Sequence, residues 1–274
     1  MPGEPLPTEN RYIVPALAQG LGILSLFGGD RRSFTAPEIA KELSLPRTTV
    51  FRLLQTLQSM DYVRCEEDTR RFSLGPALLN RGFEYLASLD MVEVAQPILQ
   101  RLRDETGLSS HMAIREGREI IYVSRFPARS TIASSVNIGT RFPVHATIMG
   151  RMTIFEMSDR ELAELFRDQP LKRFTKHTPT TLKALKALLA QDRKLGYATS
   201  EAFFEAGVSA VAAPVRDGAG RVVAAINVTA VNAHIEEQDM HGGLKEAVLA
   251  AAAEISRWLY RTASVESASQ VGGT

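Results

Sequence analysis

Pro46-Arg47-Thr48-Thr49-Val50-Phe51-Arg52-Leu53-Leu54-Gln55-Thr56-Leu57-Gln58-Ser59-Met60 is the stretch that decides the amino-terminal half. At about 100° per residue, Val50, Leu53, Leu54 and Leu57 share one helical face. Thr48, Arg52, Gln55 and Ser59 share the opposite one, with Arg47 and Thr49 near the amino-terminal tip. Pro46 suits the first turn, where its missing N–H has no intrahelical partner to lose. Upstream, Ser44-Leu45 makes a tight connection to a second helix over Thr35 to Leu43. Thr35 caps that helix and Glu38 follows three residues later, a capping-box pattern. Further upstream, Leu17, Leu21, Leu24 and Leu26 recur near helical spacing from Pro15 to Phe27, until Gly28-Gly29 stops the run. Downstream, Tyr62 to Cys65 and Arg71 to Leu74 are β-like runs around the polar turn Glu66-Glu67-Asp68-Thr69-Arg70. Three helices and then a hairpin is the order of a winged helix-turn-helix.

The remainder changes character. Gly75 to Ser88 reads as one amphipathic connecting helix, with Leu78, Leu79, Phe83 and Leu86 as its stripe. A further helix over Val92 to Thr106 ends at Gly107. His111 to Arg115 and Glu119 to Ser124 read as strand, turn and strand, and Ile132 to Ile138 as another strand. Helices fit Ala146 to Met157, Asp159 to Arg167 and Thr181 to Leu195. A second hairpin joins Val208 to Val215 and Val222 to Val231, and a terminal helix covers Glu237 to Tyr260. Helices around a mostly antiparallel sheet make this half α+β. The expected organisation is a flexible arm over 1–11, a winged helix-turn-helix over 12–75, a linker helix over 76–90, a second, α+β domain over 91–262 and a disordered tail over 263–274.

The chain has 274 residues, which suits two domains. Its 32 Lys plus Arg against 31 Asp plus Glu give a formal charge of +1, and 45% hydrophobic with 23% charged residues is ordinary folded-protein composition. No apolar run approaches the roughly 18 residues of a membrane span. The amino-terminus is neither a signal nor a transit peptide, so a cytoplasmic location is expected. A single cysteine, Cys65, excludes a disulfide framework and a multi-cysteine zinc site.

Catalytic signatures are scarce, and the expectation is that the chain is not an enzyme. No two of the five histidines (His111, His145, His177, His234, His241) have the i, i+4 spacing that presents two imidazoles to zinc. Each reads as a surface or pocket polar group, and no metal or cofactor is expected. Gly207-Val208-Ser209-Ala210-Val211 lacks the second glycine of a nucleophile elbow. Gly218-Ala219-Gly220 is a hairpin turn, with no Lys-Ser/Thr after it to hold phosphate.

A nucleic-acid reading rests on placement rather than total charge, since residues 1–75 hold 9 basic and 9 acidic residues. Arg47, Thr48, Thr49, Arg52 and Gln55 line the exposed face and the amino-terminal turns of the third helix, the end that enters a major groove in helix-turn-helix proteins. Arginine there reads guanine O6 and N7, and threonine meets a thymine methyl or a phosphate. Arg70 and Arg71 at the wing, and Arg31-Arg32 before the second helix, are candidate phosphate contacts. Arg11 in the arm is a candidate minor-groove probe. The competing reading of the helix arginines is an ordinary solvated face.

Together these residues resemble a known family. Leu43 through Leu57, the helix from Ala16 to Phe27 and the wing run Arg71-Phe72-Ser73-Leu74-Gly75 resemble the DNA-binding domain of IclR-type transcriptional regulators. Gly139-Thr140-Arg141-Phe142-Pro143-Val144-His145-Ala146-Thr147-Ile148-Met149-Gly150-Arg151 resembles that family's effector-binding domain, as do Gly196-Tyr197-Ala198, Ala212-Ala213-Pro214-Val215 and Val223 to Thr229. The resemblance covers about residues 15 to 260. It implies a winged helix-turn-helix, a linker helix and a GAF-like sensor. It also implies homodimers, sometimes paired into tetramers, on a palindromic operator.

Carried over by position, the family's small-molecule pocket comprises Thr131, Ser134, Phe142, Ile148, Met149, Ser200, Ala210, Asn227 and Thr229. The backbone N–H groups where Ile148 to Gly150 open a helix are candidates for holding a carboxylate. Members that bind small keto acids have an acid where this chain has Ser200 and a cysteine where it has Ala210, so a roomier pocket is implied. Glu201 lies next to the first of these. The Thr140-Arg141-Phe142-Pro143 and Met149-Gly150-Arg151 runs resemble the branch controlling protocatechuate and hydroxybenzoate catabolism. An aromatic acid is therefore the expected effector, with Arg141 or His145 either as its polar partner or in a buried structural bond. Two rival readings are a small-molecule-metabolising enzyme and a ligand-binding module without DNA binding. Neither repressor nor activator is favoured.

Overall fold

Ile23, Ile39, Val50 and Leu54 are fully buried side chains from three helices that meet. The helices are α1 (Pro15–Ser25), α2 (Ala36–Glu42) and α3 (Arg47–Ser59). The computed structural model in which they are seen describes residues 12–28, 31–129, 136–167, 169–201, 204, 207–231 and 237–271. The capping box at Thr35 forms as its spacing demands: Glu38 N–H donates to the Thr35 hydroxyl, and Thr35 N–H donates to the Glu38 carboxylate at 2.6 Å. Strands β1 (Phe34–Thr35), β2 (Val63–Cys65) and β3 (Arg71–Leu74) form a small antiparallel sheet in the order β1-β3-β2. The two-residue β1 is too short to show a period, and it extends the expected hairpin by one strand.

On α1 the buried face differs from the one that leucine spacing suggests. Gly20 and Ile23 are buried, with Phe27 just beyond the helix, whereas Leu17 and Leu21 are 63% and 55% exposed. A Cβ on Gly20 would stand 3.9 Å from Leu53, so the face carrying this glycine is the one that approaches α3. The helix α4 (Ala77–Ala87) that follows buries none of its residues, and Leu79, Phe83 and Tyr85 are exposed.

Contacts divide the chain into two units, Met1–Ser88 and Leu89–Thr274. The second unit is built on one six-stranded antiparallel sheet in the order β6-β5-β4-β9-β8-β7. Its strands are β4 (Ser109–Glu116), β5 (Glu119–Phe126), β6 (Arg141–Pro143), β7 (Ala198–Glu201), β8 (Val208–Arg216) and β9 (Val222–Val231). Helix α5 (Asp90–Thr106) ends on Gly107, whose φ of 69° is the left-handed geometry that glycine adopts without strain. α5 and the long α10 (Gly243–Val271) cover one face of the sheet; α6 (Ile148–Ile154) covers the other. The helices α7 (Asp159–Leu165), α8 (Leu182–Leu195) and α9 (Glu237–Met240) complete the unit. The expected strand over Ile132 to Ile138 falls mostly outside the described residues, and the edge strand is Arg141–Pro143. The expected terminal helix is split into α9 and α10, and α10 runs through to Val271, past the Tyr260 at which periodicity fades.

Both β8 and β9 are buried on both faces, so their period-2 pattern becomes a contrast of size. Ala210, Ala212 and Ala225 face α6 with Ala113 and Ala198, while Val211, Val228 and Ile226 alternate with them.

One buried ion pair ties the α6 side together. Arg151, 3% exposed, donates from Nε and Nη2 to both Asp192 carboxylate oxygens at 2.8 and 3.3 Å, and from Nη2 to the Thr199 carbonyl at 3.2 Å. Removing one member strands the other in the interior, which costs about 3–5 kcal/mol. Arg151→Ala should therefore lower unfolding free energy by that order, while Arg151→Met with Asp192→Leu should recover most of it. Urea denaturation of the single and double variants measures both.

Candidate nucleic-acid interface and effector site

The exposed face of α3 carries Arg47, Thr48, Arg52 and Gln55, with Thr49 half-buried behind them. Arg47, Thr48, Phe51 and Arg52 line an open groove of about 520 Å³ with Ala36 and Pro37 from the start of α2. No side chain caps α3, and its first turn holds no acid. The positive end of its dipole therefore faces outward beside two arginines, an arrangement that attracts phosphate.

The structure divides the arginines of the head into two groups. Arg31 lies over the Phe34 ring at 4.3 Å and pairs with Glu42 and Glu38 at 2.9 and 3.3 Å. Arg71 donates to the Ser33 hydroxyl and carbonyl at 2.9 and 2.8 Å and stands 3.4 Å from Glu38. Both act as internal struts, joining α2 to β3 and to the chain before it. Glu38 serves all of them; its hydrogen bonds to the Thr35 backbone and hydroxyl, with Arg71 and Arg31 nearby, hold its carboxyl below the usual range. Arg32, Arg47, Arg52 and Arg70, by contrast, are exposed and make no side-chain ion pair among the described residues. Arg70 occupies the wing tip with φ of 55°, but Glu66, Glu67 and Asp68 are exposed beside it. The wing is thus locally acidic, and the unopposed positive charge is at the α3 tip.

In the second unit, strand register brings the expected pocket residues onto one face. Ser200 lies opposite Ala210, which lies opposite Thr229. One step along, Ala198, Ala212, Asn227 and His111 form a parallel row. Phe142 lies opposite Ile120 on the same face, and Ile148 and Met149 belong to the same buried cluster. Ser200, Asn227 and Thr229 are all buried. Thr131 and Ser134 lie outside the described residues, as does the Glu201 side chain.

Two expected polar partners have other engagements. Arg141 is on the exposed side of edge strand β6, paired with Glu119 and Glu116 at 2.7 and 2.9 Å. Alternation along a strand turns it away from the face that Phe142 joins. His145 is buried and donates from Nε2 to the Lys172 carbonyl at 3.0 Å; burial lowers its pKa. The Gly150 N–H donates to the capping Thr147 hydroxyl. A Cβ at Gly150 would stand 2.4 Å from Val144 Cα and carbonyl oxygen, so glycine there answers to close packing.

The same face shows aromatic residues that sequence reading does not collect. Tyr122 packs edge-on against His111 at 5.5 Å and against Phe142 at 5.7 Å between ring centroids. Phe142 meets Phe204 at 4.5 Å, Phe204 meets Phe174 at 4.7 Å, and Phe174 meets His145 at 6.2 Å. Six rings thus follow one another from His111 to His145. Phe174 and Phe204 sit between regular elements, where no periodicity marks them. His111 and Tyr122 had a signal in the alternation of β4 and β5, since each is in phase with a buried inward residue. Burial lowers the His111 pKa to about 4, with Asn227 opposing and Arg125 assisting, so its ring is neutral near pH 7.

Among the described residues, no three His, Cys, Asp or Glu come together to hold a metal ion, and no helix is long and apolar enough to cross a membrane.

Comparison with known proteins agrees with both halves. Residues 16–67 match the IclR helix-turn-helix domain, and residues 83–257 match the family described as bacterial transcriptional regulator IclR, C-terminal. The HTH-type transcriptional regulator XynR of Escherichia coli is 30% identical over 90% of this chain and 98% of its own. The Pca regulon regulatory protein of Pseudomonas putida is 30% identical over 92% of this chain and 87% of its own. An IclR homologue from Microbacterium hydrocarbonoxydans, solved in complex with 4-hydroxybenzoate, superposes with a TM-score of 0.77 at 25% identity, covering 89% of this chain and 98% of that one.

Two outcomes follow from this geometry. Arg47→Ala and Arg52→Ala should each weaken specific DNA binding by about 1–3 kcal/mol without lowering the melting temperature, whereas Arg71→Ala should lower the melting temperature. Fluorescence anisotropy and calorimetry on the same preparations separate these effects. For His111, the unfolded ring binds a proton below its ordinary value of 6.5 and the folded ring only below about 4. Stability should therefore fall as pH drops through that window, by on the order of 3 kcal/mol in total, and level off below it. Urea titrations across the window should show a steeper loss for the wild type than for His111→Leu.

Proposed function

This chain belongs to the IclR family of DNA-binding transcriptional regulators with an effector-binding domain, and we propose that its effector is a small aromatic carboxylate. The observation that carries this reading is the run of six rings from His111 to His145 along the α6 side of the sheet. Aromatic pairs stack offset or edge-on, and a flat ring placed among them gains these contacts in addition to burial. The alanines beneath supply width, and Ser200 and Ala210 leave the pocket without the acid and cysteine that resemblance to keto-acid-binding members would call for. The named relatives are compatible with this: one regulates a Pca regulon and another was solved with 4-hydroxybenzoate. An equally similar relative bears a different regulator's name, so the reading rests on the pocket lining rather than on overall identity.

In this reading Arg47, Thr48, Thr49, Arg52 and Gln55 meet base edges and nearby phosphates, with Arg32 and Arg70 as outlying phosphate contacts. Phe142, Ile148, Met149, Ser200, Ala210, Asn227 and Thr229 line the effector site. The protein acts as a homodimer on a palindromic site, which fits the apolar side chains that α1 and α4 leave uncovered at Leu17, Leu21, Leu79 and Phe83. The ligand changes operator affinity only as far as it prefers one arrangement of the dimer.

The test is an anisotropy titration of the full chain against the promoter next to its own gene, repeated over a salt series and with a panel of benzoates. Affinity should fall with salt, since each phosphate contact releases counterions. At least one aromatic acid should shift the binding curve. Indifference to every aromatic acid, alongside a response to a small keto acid, would reject the proposed effector class.

A further inference from the structure

We propose that His111 selects the effector's substituent, its Nε2 accepting a hydrogen bond from a hydroxyl or amino group on the aromatic ring. The inference rests on the aromatic-acid reading above and narrows it to ring acids that carry a donor.

Strand register sets His111 directly opposite Asn227 on the face that α6 covers. The imidazole is 1% exposed, and its Nδ1 lies 3.0 Å from Asn227 Oδ1. Asn227 Nδ2 in turn donates to the Thr229 hydroxyl at 2.8 Å, in the orientation that places the amide oxygen toward the histidine. A carbonyl oxygen accepts only, so the ring proton is on Nδ1 and Nε2 presents a lone pair. That Nε2 is buried and has no hydrogen-bond partner among the described residues. Buried polar atoms in folded proteins nearly always have one, and the exception asks for a group that arrives later.

The neighbourhood indicates which group. Nε2 belongs to the ring at one end of the aromatic series, edge-on to Tyr122. A ligand ring lying along the series would bring a substituent, rather than its own face, to this nitrogen. A lone pair does not hydrogen-bond a carboxylate or an ether oxygen, since neither offers a proton. It does accept from a phenol O–H or an aniline N–H. The effector's carboxylate consequently lies elsewhere in the pocket, and the position opposite it on the ring carries the donor.

Isothermal titration of the full chain with 4-hydroxybenzoate, 4-aminobenzoate, benzoate and 4-methoxybenzoate tests this. The wild type should bind the first two about tenfold more tightly than the last two, the size of one well-formed hydrogen bond. His111→Leu should lose the preference between the two pairs, whatever its affinity for benzoate itself, and His111→Gln, which keeps an acceptor, should regain part of it. Operator binding without ligand reports whether each variant is folded. Should the variants fail to fold, the imidazole nitrogen resonances of the wild type supply the test: the unprotonated Nε2 should shift with 4-hydroxybenzoate and not with benzoate. Benzoates that bind the wild type without discrimination, or a preference that survives in His111→Leu, would overturn the role of His111 and leave the aromatic-acid reading intact. No binding by any benzoate would overturn both.

Discussion

Arg151 and Asp192 form the contact on which the sensing half depends. A guanidinium held away from water needs its charge matched, and Asp192 on α8 does that, with the Thr199 carbonyl on β7 accepting from Nη2 as well. The same residue belongs to α6, the helix that roofs the inner face of the sheet. The remote α6 is thereby held to α8 and β7 beside Ser200, the neighbour of Thr199. Beneath that roof the sheet presents the small side chains Ala210, Ala212 and Ala225 beside Asn227 and Thr229.

In the head, charge is organised by neighbours rather than by number. Nine basic and nine acidic residues over 1–75 suggest no preference for a polyanion. Glu38 alone engages Thr35, Arg31 and Arg71, so two of the arginines that look like phosphate contacts are structural members. Those at the α3 tip are unopposed, while the wing turn keeps acids beside Arg70. Such a head holds DNA through a few placed contacts, with weak attraction to duplex in general.

Much of this was legible beforehand, and the parts that were share a physical origin. The recognition helix, the capping box at Thr35, the stop at Gly107 and the β8–β9 hairpin are local, each set by residues within one or two turns of one another. Ala210, Asn227 and Thr229 came from the family resemblance, and the register of β8 and β9 puts them on one face. Failures came where partners are remote. Leucines on α1 have the right spacing, yet the face with Gly20 is the one that comes close to α3. Arg141 sits in a motif that suggests ligand binding, yet strand alternation turns it toward Glu116 and Glu119. His111 reads in the sequence only as a surface or pocket polar group, because its importance arises from Asn227, 116 positions away.

The sequence by itself determined most of the elements, their order, the α+β class, the family and the end of α3 that faces outward, since these depend on periodicity, caps and turn residues. Tertiary structure alone decided which arginines are free, which face of the sheet carries polar atoms, and that one imidazole nitrogen is buried without a hydrogen-bond partner among the described residues. Those properties belong to pairs and to rows of residues brought together across the sheet, and a hydrogen bond left unmade is defined only once every neighbour is in place.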